Sequence, residues 1–110
     1  MDINGPLKIS VIDTTAEKPG WELLIQFRDD FKAADLDTQG RLFEDYIQEL
    51  KHNIDSLPPG DRNRDGMAIV YQLCSQILPY IKEGQIALEE TLMVEIGQSQ
   101  AASITNFLNG

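Results

Sequence analysis

From Phe43 to Leu57 the apolar residues Phe43, Tyr46, Ile47, Leu50, Ile54 and Leu57 recur every three or four positions, and the run stops against Pro58-Pro59-Gly60. That spacing lays one continuous stripe along a helix. Proline ends it, because it lacks an amide donor and disfavours helix in the residue before it. Asp37 or Thr38 is the expected N-cap, with a side-chain oxygen accepting from an amide of the first turn. A helix with one apolar face draws its stability from packing, so this segment requires a core supplied by the rest of the chain.

Two other segments show the same period. In the stretch 20–35, Trp21, Leu24, Phe27, Phe31 and Ala34 predict a first helix. Val70, Leu73, Cys74, Ile77 and Ile81 share a face of a third, with Gly84 as its C-terminal cap and Pro79 predicting a kink or break near Leu78. The ends of the chain switch to period two. Leu7, Ile9 and Val11 alternate with Lys8 and Ser10 in Leu7–Asp13, and Leu92, Val94 and Ile96 alternate with Met93 and Glu95 in 91–96. Both are patterns of half-buried strands. The breaker-rich stretch 14–20 separates the first strand from the first helix.

The expected fold is therefore α+β, with about three helices packed on a small antiparallel sheet of N-terminal and C-terminal strands. These strands pair within one chain or across a homodimer, since unpaired backbone groups are costly when buried. A chain of 110 residues fits one domain, read here as 1–97, with 98–110 a tail that is a short helix or loose.

The net charge is −9 and the nine basic residues are scattered. Nucleic acid and anionic membrane surfaces repel such a chain. No apolar run approaches the ~20 residues that span a bilayer, and the first ten residues lack the pattern of a signal peptide. Cys74 is the only cysteine, which excludes an internal disulfide and fits a cytoplasmic location.

One stretch resembles chemistry. Asp61, Asn63, Asp65 and Gly66 have the spacing of the first half of a calcium loop. Gln72 stands where the closing bidentate glutamate belongs, Ile69 occupies a normally polar position, and Pro58-Pro59-Gly60 breaks the incoming helix. Arg62 and Arg64 add positive charge. A polar turn, with Asp65 capping the third helix, accounts for the same residues. No metal or other cofactor is expected, and calcium at Asp61, Asn63 and Asp65 is the alternative.

Glu49 and His52 have a metal-binding spacing without the second copy it needs. Cys74 lies in an apolar stripe and reads as a core residue. The neighbouring carboxylates Asp29–Asp30 and Glu89–Glu90 point about a quarter-turn apart on a helix. Trp21, Phe27 and Phe31 read as core. No catalytic constellation emerges, so the expectation is a non-enzymatic regulatory or adaptor protein that binds a basic partner. Its contact residues are placed on the outer face of the second helix, at Glu44, Asp45, Gln48, Glu49 and Asp55, together with the acidic side of the first.

Overall fold

Leu7, Ile9 and Val11 do form one face of a strand, but their strand pairs with a segment expected to be helical. A computed structural model describes residues 5–14, 20–61 and 63–109. Its elements are β1 (Leu7–Thr14), β2 (Gly20–Phe27), α1 (Asp29–Ala33), α2 (Leu36–Ser56), α3 (Arg64–Lys82), β3 (Leu92–Ile96) and α4 (Gln98–Asn109). The N-terminal tetrapeptide, the breaker residues 15–19 and Arg62 lie outside the described residues. The fold is α+β, with a three-stranded antiparallel sheet in the order β1-β2-β3.

The helix expected over 21–34 is thus corrected to strand β2 followed by the five-residue α1. Trp21, Leu23, Ile25 and Phe27 already alternate with Glu22 and Gln26, but Leu24 on the other face obscures the pattern. Long-range pairing decides the matter. Leu7 opposes Phe27, Ile9 opposes Ile25 and Val11 opposes Leu23 on one side. Leu92 opposes Ile25, Val94 opposes Leu23 and Ile96 opposes Trp21 on the other. Every apolar alternation thereby falls on the same face, the condition that fixes register in a sheet with one buried side. The terminal strands do not touch each other; β2 separates them. The outer edges of β1 and β3 carry no strand among the described residues.

The inner face of the sheet meets the helices in one core. Leu7, Leu23, Ile25 and Phe27 join Phe31, Phe43, Leu50, Val70, Cys74, Ile104 and Phe107, all buried. Phe27 stacks on Phe31 with ring centroids 5.6 Å apart, and Phe31 tilts against Phe43 at 6.2 Å. Each fully buried side chain of this size contributes about 1.5–3 kcal/mol of transfer free energy. The segment 98–109 belongs to the same body: α4 buries Ala101, Ile104 and Phe107. The molecule is a flattened particle of 39 × 36 × 20 Å.

The helix ends differ from expectation in detail. Asp35, not Asp37 or Thr38, caps α2, accepting from the Thr38 amide at 2.7 Å. Helix α3 starts at Arg64, so Asp65 lies within its first turn and does not cap it. Its carboxylate still suits the positive end of the helix dipole. The helix also passes through Pro79 without a break. Pro79 lies in the last turn, and its own carbonyl still accepts from Glu83 at 3.1 Å. Gly84, at φ +67°, then ends the helix, with the Gly84 amide donating to Ile81 and the Gln85 amide to Tyr80. This is the left-handed C-terminal cap that glycine favours.

Candidate functional site

With Phe43, Tyr46, Ile47, Leu50 and Ile54 turned inward, α2 presents its other side to solvent over its whole length. The carboxylates expected there do not form one field. Glu44 Oε2 pairs with Lys82 Nζ from α3 at 2.7 Å, and Asp55 Oδ1 pairs with Lys51 Nζ at 2.9 Å. The latter contact raises the Lys51 pKa. Arg41, one turn before Glu44, and Gln48 and His52, between the acidic positions, are also exposed. Asp45 and Glu49 are exposed and make no ion pair among the described residues.

Those two carboxylates flank a cleft of about 300 Å³ between α2 and the start of α1. Leu42, Asp45, Tyr46 and Glu49 line one wall, at the i, i+3, i+4, i+7 spacing of a single helical stripe. Leu42 is 41% exposed although apolar, whereas Tyr46 is buried. Arg28 and Asp30 line the facing side, with Gly5 and Pro6 closing one end. The Arg28 guanidinium donates to the Gly5 carbonyl at 3.2 Å and stands 3.8 Å from Asp30 Oδ1. Asp30 also accepts from the Phe31 amide at 2.9 Å. Gly5 adopts φ +51° and rests on the Tyr46 ring, where any side chain would collide. The N-terminal end of the described chain is thus fitted to α2, and the cleft has a defined wall there.

Comparison with protein-family models, with curated proteins and with solved structures finds no match to this chain. Function therefore has to be argued from the geometry.

Other sequence candidates separate from one another. Asp61 Oδ1 accepts from the Asn63 amide at 2.9 Å, closing a local turn, while Asp65 is exposed. Arg64 Nε donates to the Ile54 carbonyl at 3.3 Å and so ties this loop to α2. Among the described residues no group of three His, Cys, Asp or Glu is placed to hold a metal ion. Glu49 and His52 are both exposed on α2. Asp29 and Glu89 converge on Lys32, at 3.2 and 3.3 Å, so members of the two carboxylate pairs share a structural cation. Phe27 and Phe31 are core residues; Trp21 is half-buried at the end of the sheet.

Cys74 is fully buried, and desolvation pushes its thiol up to about 12. The folded thiol therefore holds its proton where the unfolded thiol, near pKa 8.5, has lost it. Stability is intact below about pH 8.5 and falls as pH rises towards 12, by up to about 1.4 kcal/mol per unit. Urea midpoints for the wild type and Cys74→Ala between pH 8 and 10.5 test this. The wild type is expected to lose stability faster; parallel curves would contradict the buried thiol.

The spacing puts Asp45 and Glu49 on the solvent face of α2 and Tyr46 in its core stripe, and it singles out no role for Leu42. Their shared stripe is visible in the spacing. The approach of Arg28 and Asp30 is tertiary and left no local signal.

Proposed function

We propose that this chain is a small non-enzymatic domain of regulatory or adaptor type, which acts by binding another protein that carries a basic surface. One observation carries the reading: among the described residues Asp45 and Glu49 make no ion pair, and they stand beside the exposed apolar side chain of Leu42 at the mouth of a cleft. An apolar anchor rimmed by uncompensated charge is the composition of a protein-contact surface, in which the apolar part supplies affinity and the charge supplies orientation and encounter rate. The net charge of −9 extends the attraction beyond contact distance. Glu44 and Asp55 contribute less, because a partner would have to compete with Lys82 and Lys51 for them. Gln48, exposed on the other flank of α2 beside Lys51 and Asp55, supplies a neutral hydrogen-bonding group.

The test uses the protein immobilised in extract of its native cells, as wild type and as Asp45→Lys/Glu49→Lys. A partner retained by the wild type is expected to be lost from the variant, and from the wild type above ~0.5 M salt, where charges beyond a few ångströms are screened. Equal retention by both proteins would refute the assignment of this surface. No helix among the described residues is long and apolar enough to cross a membrane, and a single buried cysteine, which cannot form an internal disulfide, is compatible with the cytoplasmic location proposed here.

Self-association is a second reading, supported by the outer edge of β1, which pairs with no strand among the described residues. This eight-residue strand contains no proline, and Lys8 and Asp13 are its only charged residues, so its edge is lightly protected. Light scattering from about 1 µM to 1 mM is expected to show mass rising towards that of a dimer. Constant monomer mass would exclude it.

A further inference from the structure

We infer that the cleft between α2 and the start of α1 receives a basic amphipathic peptide segment, with a cationic side chain seated between Asp45 and Glu49 and an apolar one packed on Leu42. The inference rests on the proposed protein-binding role and specifies the chemistry of the partner. Among the described residues the walls contain three carboxylates, Asp30, Asp45 and Glu49, against the single guanidinium of Arg28. Arg28 contacts Asp30 and the Gly5 carbonyl, and one guanidinium is outnumbered by the three carboxylates of the lining. The excess negative charge selects a cation. Leu42 and Glu49 lie two helical turns apart, with Asp45 between them, so the acidic and apolar groups share one stripe. An extended or helical peptide that presents cationic and apolar side chains one turn apart matches both. The volume, about 300 Å³, is at the lower end for ligand clefts and suits individual side chains of a longer segment better than a compact small molecule.

The opposite flank of α2 lacks this combination. There Lys51, His52 and Asp55 line a shallow groove with Ile47, Gln48 and Tyr71, and the Lys51–Asp55 pair compensates its own charge. Charge complementarity therefore distinguishes the two sides of one helix. The exposed pairs formed with a peptide would each be weak, so binding depends on the acidic and apolar contacts acting together.

The experiment titrates uniformly ¹⁵N-labelled protein with a synthetic amphipathic peptide of arginine and leucine, and with a glutamate-for-arginine version of it. Saturable amide shifts are expected around Leu42, Asp45, Tyr46 and Glu49 with the basic peptide alone. Asp45→Asn/Glu49→Gln should weaken binding about tenfold, and Leu42→Ser should weaken it independently. Glu83→Gln/Glu90→Gln removes the same charge from the exposed α3–β3 connection and should leave affinity within about twofold, because distant exposed charges are screened. Thermal melts establish that each variant folds. Shifts spread over every acidic segment, equal weakening by both double variants, or no shifts at millimolar peptide would overturn the inference. If the native partner is lost from Asp45→Lys/Glu49→Lys while the peptide leaves the cleft unperturbed, the peptide assignment falls and the protein-binding role stands. If neither binds, both fall.

Discussion

Replacing Gly66 by alanine is expected to lower the unfolding free energy by about 2 kcal/mol, although alanine is the better helix former by about 1 kcal/mol. Gly66 is buried in the first turn of α3, where α4 crosses it. A Cβ there would fall inside contact distance of the Ser103 carbonyl oxygen and 2.7 Å from Phe107 Cβ. A backbone carbonyl has no rotamer by which to retreat, so α4 must move as a unit. Ala101, Ile104 and Phe107 would then withdraw from the core together. Gly40 provides the contrast. Its added Cβ would meet only Lys82 Cγ at 3.3 Å, part of a flexible side chain, so Gly40→Ala should be neutral or mildly stabilising. Urea denaturation of both variants decides the issue. A Gly66→Ala midpoint at or above wild type would mean that α3 and α4 do not approach so closely.

The second large effect belongs to Gln39. This side chain is 8% exposed, and its amide nitrogen donates to the carbonyls of Phe31 at 3.1 Å and Ala34 at 3.0 Å, with Lys32 at 3.4 Å. It thus closes the C-terminal end of α1, whose five residues leave their last carbonyls without a following turn. Gln39→Leu keeps the volume and removes the donor, which should cost about 1–3 kcal/mol, because the part-buried Ala34 carbonyl loses this partner while the Phe31 carbonyl keeps only the Ala34 amide. Gln39→Glu should cost more at neutral pH, because it places carboxylate oxygens against carbonyl oxygens in a buried position. Burial raises the pKa of such a carboxyl, so the added penalty should shrink as pH falls and the group takes up its proton. Thermal melts of both variants from pH 7 to pH 4 measure the difference. A penalty for Gln39→Glu that does not vary with pH would show that the side chain has turned out to solvent.

The difference between β2 and α2 shows what was legible in the sequence. In α2 the apolar period is unbroken and the stop is proline, two local signals that agree, and the helix formed where they placed it. In β2 the period-two set Trp21, Leu23, Ile25 and Phe27 competes with a helical set containing Trp21, Leu24 and Phe27, and only β1 and β3 on its two sides resolve the conflict. The caps were misplaced for a related reason. Asp35, Asp37 and Thr38 are all suitable residues, and tertiary packing selects where the helix begins. The charges of the candidate site were readable one by one, but their compensation was not. Lys82 reaches Glu44 from another helix, and Arg28 reaches the α2 cleft only because β2 delivers it there.

The central position of β2 also imposes an order on synthesis. Its first neighbour, β1, precedes it in the chain, whereas its second, β3, begins at Leu92, after α2 and α3. On the ribosome the β1–β2 hairpin therefore emerges with the outer edge of β2 and its apolar face open, and waits while α2 and α3 are made. Leu23, Ile25 and Phe27 are exposed to other chains throughout that interval. Only when residues 92–109 have cleared the exit tunnel can β3 close the edge and α4 complete the cover. Translation through residues 92–109 is accordingly the step that completes this fold, and a stop before it would leave a sticky hairpin for the quality-control machinery to remove.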